Sequence, residues 1–355
     1  MKVANSFLQL SKFSGMRQDH EMIPSLISQG KARINFTKHT TLTTLKLFTF
    51  DNKSKKKRFF FVLSSLIRNF VPMKGLVPYT LNVRGRLMNL SEPQVMGILN
   101  VTPDSFYADS RMETEEAIRR RVRQIVAEGG TMIDVGAYSS RPGAADVSAE
   151  EEMVRLRRGM KVVREETPEM PVSVDTFRAD VAKMCVEELG VDIVNDISGG
   201  ELDEKMFETV AKLGVPYILM HMKGTPQTMQ EAPHYDDLKK EIMLYFAEKI
   251  QRLRDLGQKD IILDPGYGFA KTLDHNYELL AHQEMLNVFE LPLLVGFSRK
   301  SMIYKLLDCT PAEALNGTTV LNTIALQKGA SILRVHDVKE AVEVVKLYKK
   351  VKTNN

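Results

Sequence analysis

The chain of 355 residues has no tryptophan and just two cysteines, Cys185 and Cys309. Two thiols so far apart, neither with metal-ligand spacing around it, argue against a disulfide framework or a zinc site and point to a reducing cytoplasm. No apolar run approaches the roughly 20 residues that a membrane-spanning helix needs. No G-x-G-x-x-G turn follows the first strand-like run, which argues against an open dinucleotide-binding sheet. Acidic residues are nearly missing from one region: residues 1–75 hold 14 Lys or Arg and 3 Asp or Glu, leaving 35 basic and 42 acidic residues for the rest. The formal net charge of +4 therefore belongs to the N-terminal segment, and the main body offers no electrostatic footprint for a nucleic acid.

Residues 1–72 alternate Ser/Thr/Lys-rich stretches with short apolar patches, and no helical or strand period persists across them. The apolar stretch 59–67 behind Lys55, Lys56, Lys57 and Arg58 lies too deep for a signal-peptide core and is too short to cross a bilayer. A transit peptide, or a natural start at Met73, are the remaining readings, and the compositional break favours the second. The expected division is an extension over 1–72 and one domain over 73–355.

From Val95 onward, short β-branched apolar runs alternate with longer charged segments of helical period. The runs at 95–101, 132–136, 172–176, 193–197, 217–222, 261–264, 293–298 and 332–336 are eight candidate strands. Helix-like stretches lie between them at 114–128, 149–166, 178–189, 235–256 and 311–327. Continuous apolar strands alternating with helices imply a parallel sheet covered on its outer face. Eight units in about 250 residues imply an α/β fold of the (β/α)8 TIM-barrel type. Ahead of them, residues 79–87 read as a hairpin lid over the N-terminal mouth of the barrel.

In such barrels the chemistry collects where strands run out into loops. Polar groups end nearly every candidate strand here: Asn100, Asp175, Asn195, His221, Asp264, the Ser298-Arg299-Lys300 triplet, and Arg334 with His336. Arg334, His336, Lys300 and Arg141 bring donors and positive charge to one mouth, as a phosphate ester requires. Asp175, Asn195 and Asp264 add acceptors suited to a flat heterocycle with an amidine-like N–H edge. With no metal-ligand cluster, a divalent ion would ride on phosphates with one protein oxygen, which is the habit of magnesium. His221, Met220 and Met222 read as packed strand-end residues.

These residues stand in motifs that resemble those of the dihydropteroate synthase family. They are Gly-Ile-Leu-Asn-Val-Thr-Pro-Asp-Ser-Phe at 97–106, Ser-Ser-Arg-Pro-Gly-Ala at 139–144, Val-Asp-Thr at 174–176 and Val-Asn-Asp-Ile at 194–197. Leu-Met-His-Met at 219–222, Gly-Thr-Pro-Gln-Thr at 224–228 and Leu-Asp-Pro-Gly-Tyr-Gly-Phe at 263–269 continue the order, followed by Ser-Arg-Lys-Ser at 298–301 and Arg-Val-His at 334–336. The resemblance covers roughly residues 93–345.

The resemblance implies a transferase of folate biosynthesis, from a family that sulfonamides target. It would join (7,8-dihydropterin-6-yl)methyl diphosphate to p-aminobenzoate by a dissociative substitution, as a cytoplasmic homodimer with Mg2+. It further implies that Asp175, Asn195, Asp264, Lys300 and Arg334 hold the pterin, with Asp175, Lys300 and Arg334 catalytic. Asn100, Arg334 and His336 would take the diphosphate, with Asn100 also on magnesium. Ser140, Pro142, Phe269 and Ser301 would receive p-aminobenzoate, and Phe106, Asp109 and Arg141 would sit on the closing loops.

The chain departs from the commoner pattern at three places. Ser140 stands for a threonine, Asp109 falls one residue late, and Lys223 replaces a frequent arginine. The alternatives are a methyltetrahydrofolate:corrinoid methyltransferase-like barrel, a Schiff-base aldolase using Lys300, and a non-catalytic pterin-binding protein.

Overall fold

The computed structural model describes residues 32–39, 42–49, 79–101, 108–138, 147–224 and 233–353, without the side chains of 32–39, 42–49 and 108–114. The chain divides into two units, 1–75 and 76–355. In the first, β1 (Ala32–His39) and β2 (Leu42–Thr49) form an antiparallel hairpin that the sequence reading does not anticipate. Its alternation lasts only a few residues per strand, and a window of helix length averages it away. The register sets Ile34 opposite Leu47 and Phe36 opposite Leu45.

The second unit opens with β3 (Thr80–Val83) and β4 (Arg86–Asn89), joined through Arg84 and Gly85, both at positive φ. That conformation matches the right-handed twist of a two-residue hairpin. Eight parallel strands follow: β5 (Gln94–Asn100), β6 (Met132–Gly136), β7 (Val172–Asp175), β8 (Ile193–Asp196), β9 (Tyr217–Met220), β10 (Ile261–Asp264), β11 (Leu294–Val295) and β12 (Ile332–Val335). Their spatial order is β10-β9-β8-β7-β6-β5-β12-β11, and a parallel bridge from Leu263 to Leu293 brings the two ends of the sheet together. The barrel expected from the sequence is present.

Helices α1 (Ala108–Ala127), α2 (Ala149–Glu166), α3 (Ala179–Leu189), α4 (Met206–Leu213), α5 (Leu238–Asp255), α6 (Leu273–Ala281), the single turn α7 (Ser301–Tyr304), α8 (Leu315–Gln327) and α9 (Val338–Lys352) follow the strands. Local chemistry sets their ends. Ser148 accepts from the Glu151 amide ahead of α2, Asp237 accepts from the Lys240 amide ahead of α5, and Thr272 with His275 forms a capping box ahead of α6. Helix α8 starts later than the helix-like stretch read from the sequence: residues 311–314 form turns, with the Ala314 amide on the Pro311 carbonyl, and Arg299 also donates to the Pro311 and Ala312 carbonyls. Strand β11 is shorter than expected, because the chain turns at Phe297, whose carbonyl takes the Lys300 amide, with Arg299 at positive φ.

The strand period of two sorts side chains into two cores. Outward residues such as Val135, Val174, Leu219 and Leu333 pack with the helices. Inward residues Met96, Met132, Ile193, Ile218, Ile262, Leu294 and Ile332 form a separate cluster closed by Leu81, Val83 and Leu90 of the hairpin. The hairpin is thus the N-terminal lid. Among the described residues no helix is long and apolar enough to cross a membrane.

Candidate active site

Going two residues further along each inward row moves from the apolar layer to a polar one. Ile332 is followed by Arg334, Ile193 by Asn195, Ile262 by Asp264 and Met132 by Asp134. The same period brings Ser173 and then Asp175 inward on β7. Five strands thereby deliver polar side chains to the C-terminal mouth.

Arg334 is the hub. Its Nε donates to Asp134 Oδ2 at 2.6 Å and its Nη2 to Asp175 Oδ2 at 2.8 Å. Asn195 Nδ2 donates to the same Asp134 oxygen at 3.1 Å. Burial opposes the charge of Arg334, but Asp134 and Asp175 outweigh it and hold the guanidinium firmly protonated. Burial pushes Asp175 well above the usual carboxylate range, with Arg334 pulling the other way and Asp134 adding to the rise. Asp175 does not cap α3: Arg178 takes the Thr176 hydroxyl and Ala179 takes Asp203.

Across the mouth, Asp264 Oδ1 accepts from the Gly266 amide at 2.8 Å, and burial raises its pKa against the pull of Lys300. Lys300 Nζ donates to the Tyr267 carbonyl at 2.6 Å and stands 4.5 Å from the centre of the Phe269 ring. Burial lowers the Lys300 ammonium to about 8, although Asp264 supports its charge. A carboxylate that binds protons too readily and a lysine that loses one too readily stand ready for a ligand that supplies the missing partners.

His336 accepts or donates to Ser298 Oγ through Nδ1 at 3.0 Å, and its backbone N–H donates to the same oxygen. Asn100, exposed at the end of β5, faces a gap left by Gly136. A Cβ on that glycine would lie 3.8 Å from Asn100 Oδ1 and 3.6 Å from Asp175 Cβ. Ser301 begins α7, a helix of one turn, so what this position offers an anion is local N–H groups and not a summed helix dipole.

Phe106, Ser140, Arg141 and Pro142 lie outside the described residues. Asp109 falls in the first turn of α1 by its backbone, and its side chain is outside the description. His221, Met220 and Met222 are buried, as their strand-end position suggests.

Sequence reasoning missed Asp134, Ser298 as the partner of His336, and Arg121, which donates to the carbonyls of Ile98 and His336 and ties β5 to β12. Asp134 had a signal. It sits two residues before Gly136 in an otherwise apolar run, so the strand period turns it inward, where a charge must be paired.

Fold and site together define a (β/α)8-barrel enzyme whose mouth gathers buried carboxylates, an amide and two cations. The profile of the family described as pterin binding enzyme matches residues 96–336, and the chain belongs to that family. It is 45% identical over 267 residues to the dihydropteroate synthase of Escherichia coli K12, covering 74% of this chain and 93% of that one. The crystal structure of Yersinia pestis dihydropteroate synthase with a sulfonamide drug complex superposes with a TM-score of 0.70 at 41% identity, over 78% of this chain and 100% of that one. The Xanthomonas albilineans dihydropteroate synthase with 4-aminobenzoic acid gives a TM-score of 0.71 at 35% identity, over 78% and 99%.

Proposed function

We propose that this protein is a dihydropteroate synthase, a transferase of folate biosynthesis that condenses (7,8-dihydropterin-6-yl)methyl diphosphate with p-aminobenzoate to give 7,8-dihydropteroate and diphosphate. The observation that carries the reading is the convergence of Asp175, Asn195, Asp264, Lys300 and Arg334 on one mouth. The names of the relatives support it, and they do not favour a corrinoid methyltransferase.

In this reading the carboxylates of Asp175 and Asp264 and the Asn195 amide take the pterin N–H edge, while Lys300 turns from the Tyr267 carbonyl to donate to a pterin acceptor. Arg334 spans pterin and diphosphate. The C–O bond to the diphosphate breaks first, and its electron pair leaves with the phosphate oxygen. The cation that remains on the pterin methyl faces Asp175, while Arg334 and His336 meet the departing charge. The aniline nitrogen of p-aminobenzoate then forms the C–N bond and gives its surplus proton to solvent. Phe269 and Pro142 wall its ring, Ser140 and Ser301 meet the carboxylate end, and the loops bearing Phe106, Asp109 and Arg141 close over the site.

Among the described residues no group of three metal-ligating side chains occurs, which suits an ion bound mainly by its substrate. Asn100 Oδ1, beside the gap at Gly136, is the fitting protein oxygen. A magnesium ion there would neutralise leaving-group charge. The protein acts as a cytoplasmic homodimer in this proposal. Its free thiols at Cys185 and Cys309 and the exposed Val320, Leu347 and Val351 on α8 and α9 support that.

The test supplies both substrates with Mg2+ and measures product mass and diphosphate release. Dihydropteroate with one diphosphate per turnover is expected. Diphosphate release without dihydropteroate would sink the proposal.

A further inference from the structure

One buried ionisable pair has no part in the reaction as drawn: His221 at the end of β9 and Lys271 beyond β10. Each is 3% exposed. Lys271 Nζ lies 3.0 Å from His221 Nδ1, from the Gly266 carbonyl and from the Phe269 carbonyl. An ammonium has three donors, and here each meets one neutral acceptor. The turn that carries the two carbonyls has Gly266 and Gly268 at positive φ, and Ala270, just past it, holds the same conformation at a cost that the glycines do not bear. The turn is also pressed onto β9, since a Cβ on Gly266 would stand 2.1 Å from the His221 carbonyl oxygen. Tyr235 Oη takes the Ala270 carbonyl at 2.8 Å and Lys300 takes that of Tyr267. Four carbonyls of one loop, those of Gly266, Tyr267, Phe269 and Ala270, are thus gripped by side chains, and Lys271 grips two of them.

We propose that Lys271, anchored by His221, is a positioning residue that sets the loop 265–270 and thereby the Phe269 ring for the p-aminobenzoate step. The inference rests on the synthase reading above. Removing the ammonium would take the Phe269 carbonyl's donor away and leave the Gly266 carbonyl with the Phe269 amide alone, and the ring at the tip of the turn would lose its place. Asp175, Asn195 and Asp264 sit on strands and would keep theirs. Burial, with the charge of Lys271 adding to it, drives His221 well below its usual pKa, so its imidazole is neutral and Nδ1 can accept. Burial also lowers Lys271, to about 7, although Asp264 favours its charge.

The test compares full-length His221→Asn, His221→Leu and Lys271→Met with the parent protein. Asparagine keeps an acceptor near the place of Nδ1 and leaves a smaller side chain. Leucine fills the space and accepts nothing. A packing role makes leucine the milder change, and a positioning role makes it the harsher one. We expect His221→Leu and Lys271→Met to raise the KM for p-aminobenzoate about tenfold with pterin affinity nearly kept, and His221→Asn to stay within about twofold of the parent. Equal KM values for the two His221 variants, or parallel losses for both substrates, would overturn the inference. If Lys271→Met does not fold, the His221 pair decides alone. Amide hydrogen exchange over 265–271 reads the loop without turnover. Faster exchange in His221→Leu than in His221→Asn supports the inference even if the parent makes no dihydropteroate, an outcome that would remove the synthase reading alone, and equal exchange refutes it.

Discussion

The two ends of the barrel are built from the same strands and spend their inward residues differently. At the N-terminal end the inward layer is apolar and sealed by Leu81, Val83 and Leu90. The charge there is tied off: buried Asp192 takes Arg84 of the hairpin at 2.5 Å, Arg164 at 3.0 Å and the Val172 amide at 2.8 Å. At the C-terminal end Asp175, Asp264 and Lys300 are held away from their ordinary protonation behaviour by burial. Two residues of strand, under 7 Å of rise, separate a layer that stabilises from a layer that waits for a ligand. Substitutions at one end should therefore move stability without chemistry, and at the other chemistry without stability.

The largest effect belongs to the sealed end. Leu81→Ala removes a side chain that is 1% exposed under the barrel floor, and we expect a loss of about 2–5 kcal/mol in unfolding free energy. The molecules that remain folded should turn over at the parent rate. Denaturant melts and a specific activity corrected for folded fraction check both halves. A fall in kcat per folded molecule would mean that the two ends are not separable.

At the other end, Asp175→Asn keeps shape and removes the charge that faces the developing pterin cation. The expected cost is about 2–4 kcal/mol of activation free energy, with ground-state pterin binding far less affected. The melting temperature should hold, because Arg334 keeps Asp134 and α3 is capped by other groups. A stable variant with parental kcat would remove Asp175 from the chemistry.

Lys300 gives a smaller effect with a pH signature. Replacing it by alanine should weaken pterin binding by roughly 1.5–3 kcal/mol, the worth of a charge-assisted hydrogen bond. In the parent protein its ammonium deprotonates at about 8 instead of 10.5, so pterin affinity should fall as pH rises through 8. The contribution of Lys300 to the stability of the ligand-free protein has the opposite slope. Between about 8 and 10.5 the unfolded chain binds the proton that the folded chain has lost, so this group makes folding more favourable as pH rises. Calorimetric titration across that window, with Lys300→Ala as the reference, separates the two. A pterin affinity equally pH-dependent in both proteins would assign the titration elsewhere.

How much of this could be read from sequence differs between the ends for a physical reason. The strand period and the helical charge pattern are local, so the barrel, the lid and the strand-end polar residues were legible between residues 79 and 336. Asp134 was passed over inside an apolar run, since the choice between facing a helix and facing the barrel axis depends on register. The contact of His221 with Lys271 spans 50 residues of chain and exists only once β9 and β10 are neighbours. The bonds from Arg299 to the Pro311 and Ala312 carbonyls ahead of α8 likewise join residues that the sequence sets apart.

The smallest expected effect concerns residues 1–72, which lie outside this comparison. The lid hairpin begins at Thr80, the apolar residues packed there are all at or beyond Tyr79, and every polar group of the mouth lies further along the chain. A protein that starts at Met73 retains all of them, so its kcat should match that of the full chain and its melting temperature should lie within about 1–2 °C. The electrostatics point the same way, because removing a net positive segment leaves a body of net negative charge whose buried cations at the mouth are held by neighbours within that body. Measuring kcat, KM for both substrates and the thermal midpoint on the two lengths settles it. A shortened protein that melts normally but has lost most of its turnover would show that the basic segment serves the reaction.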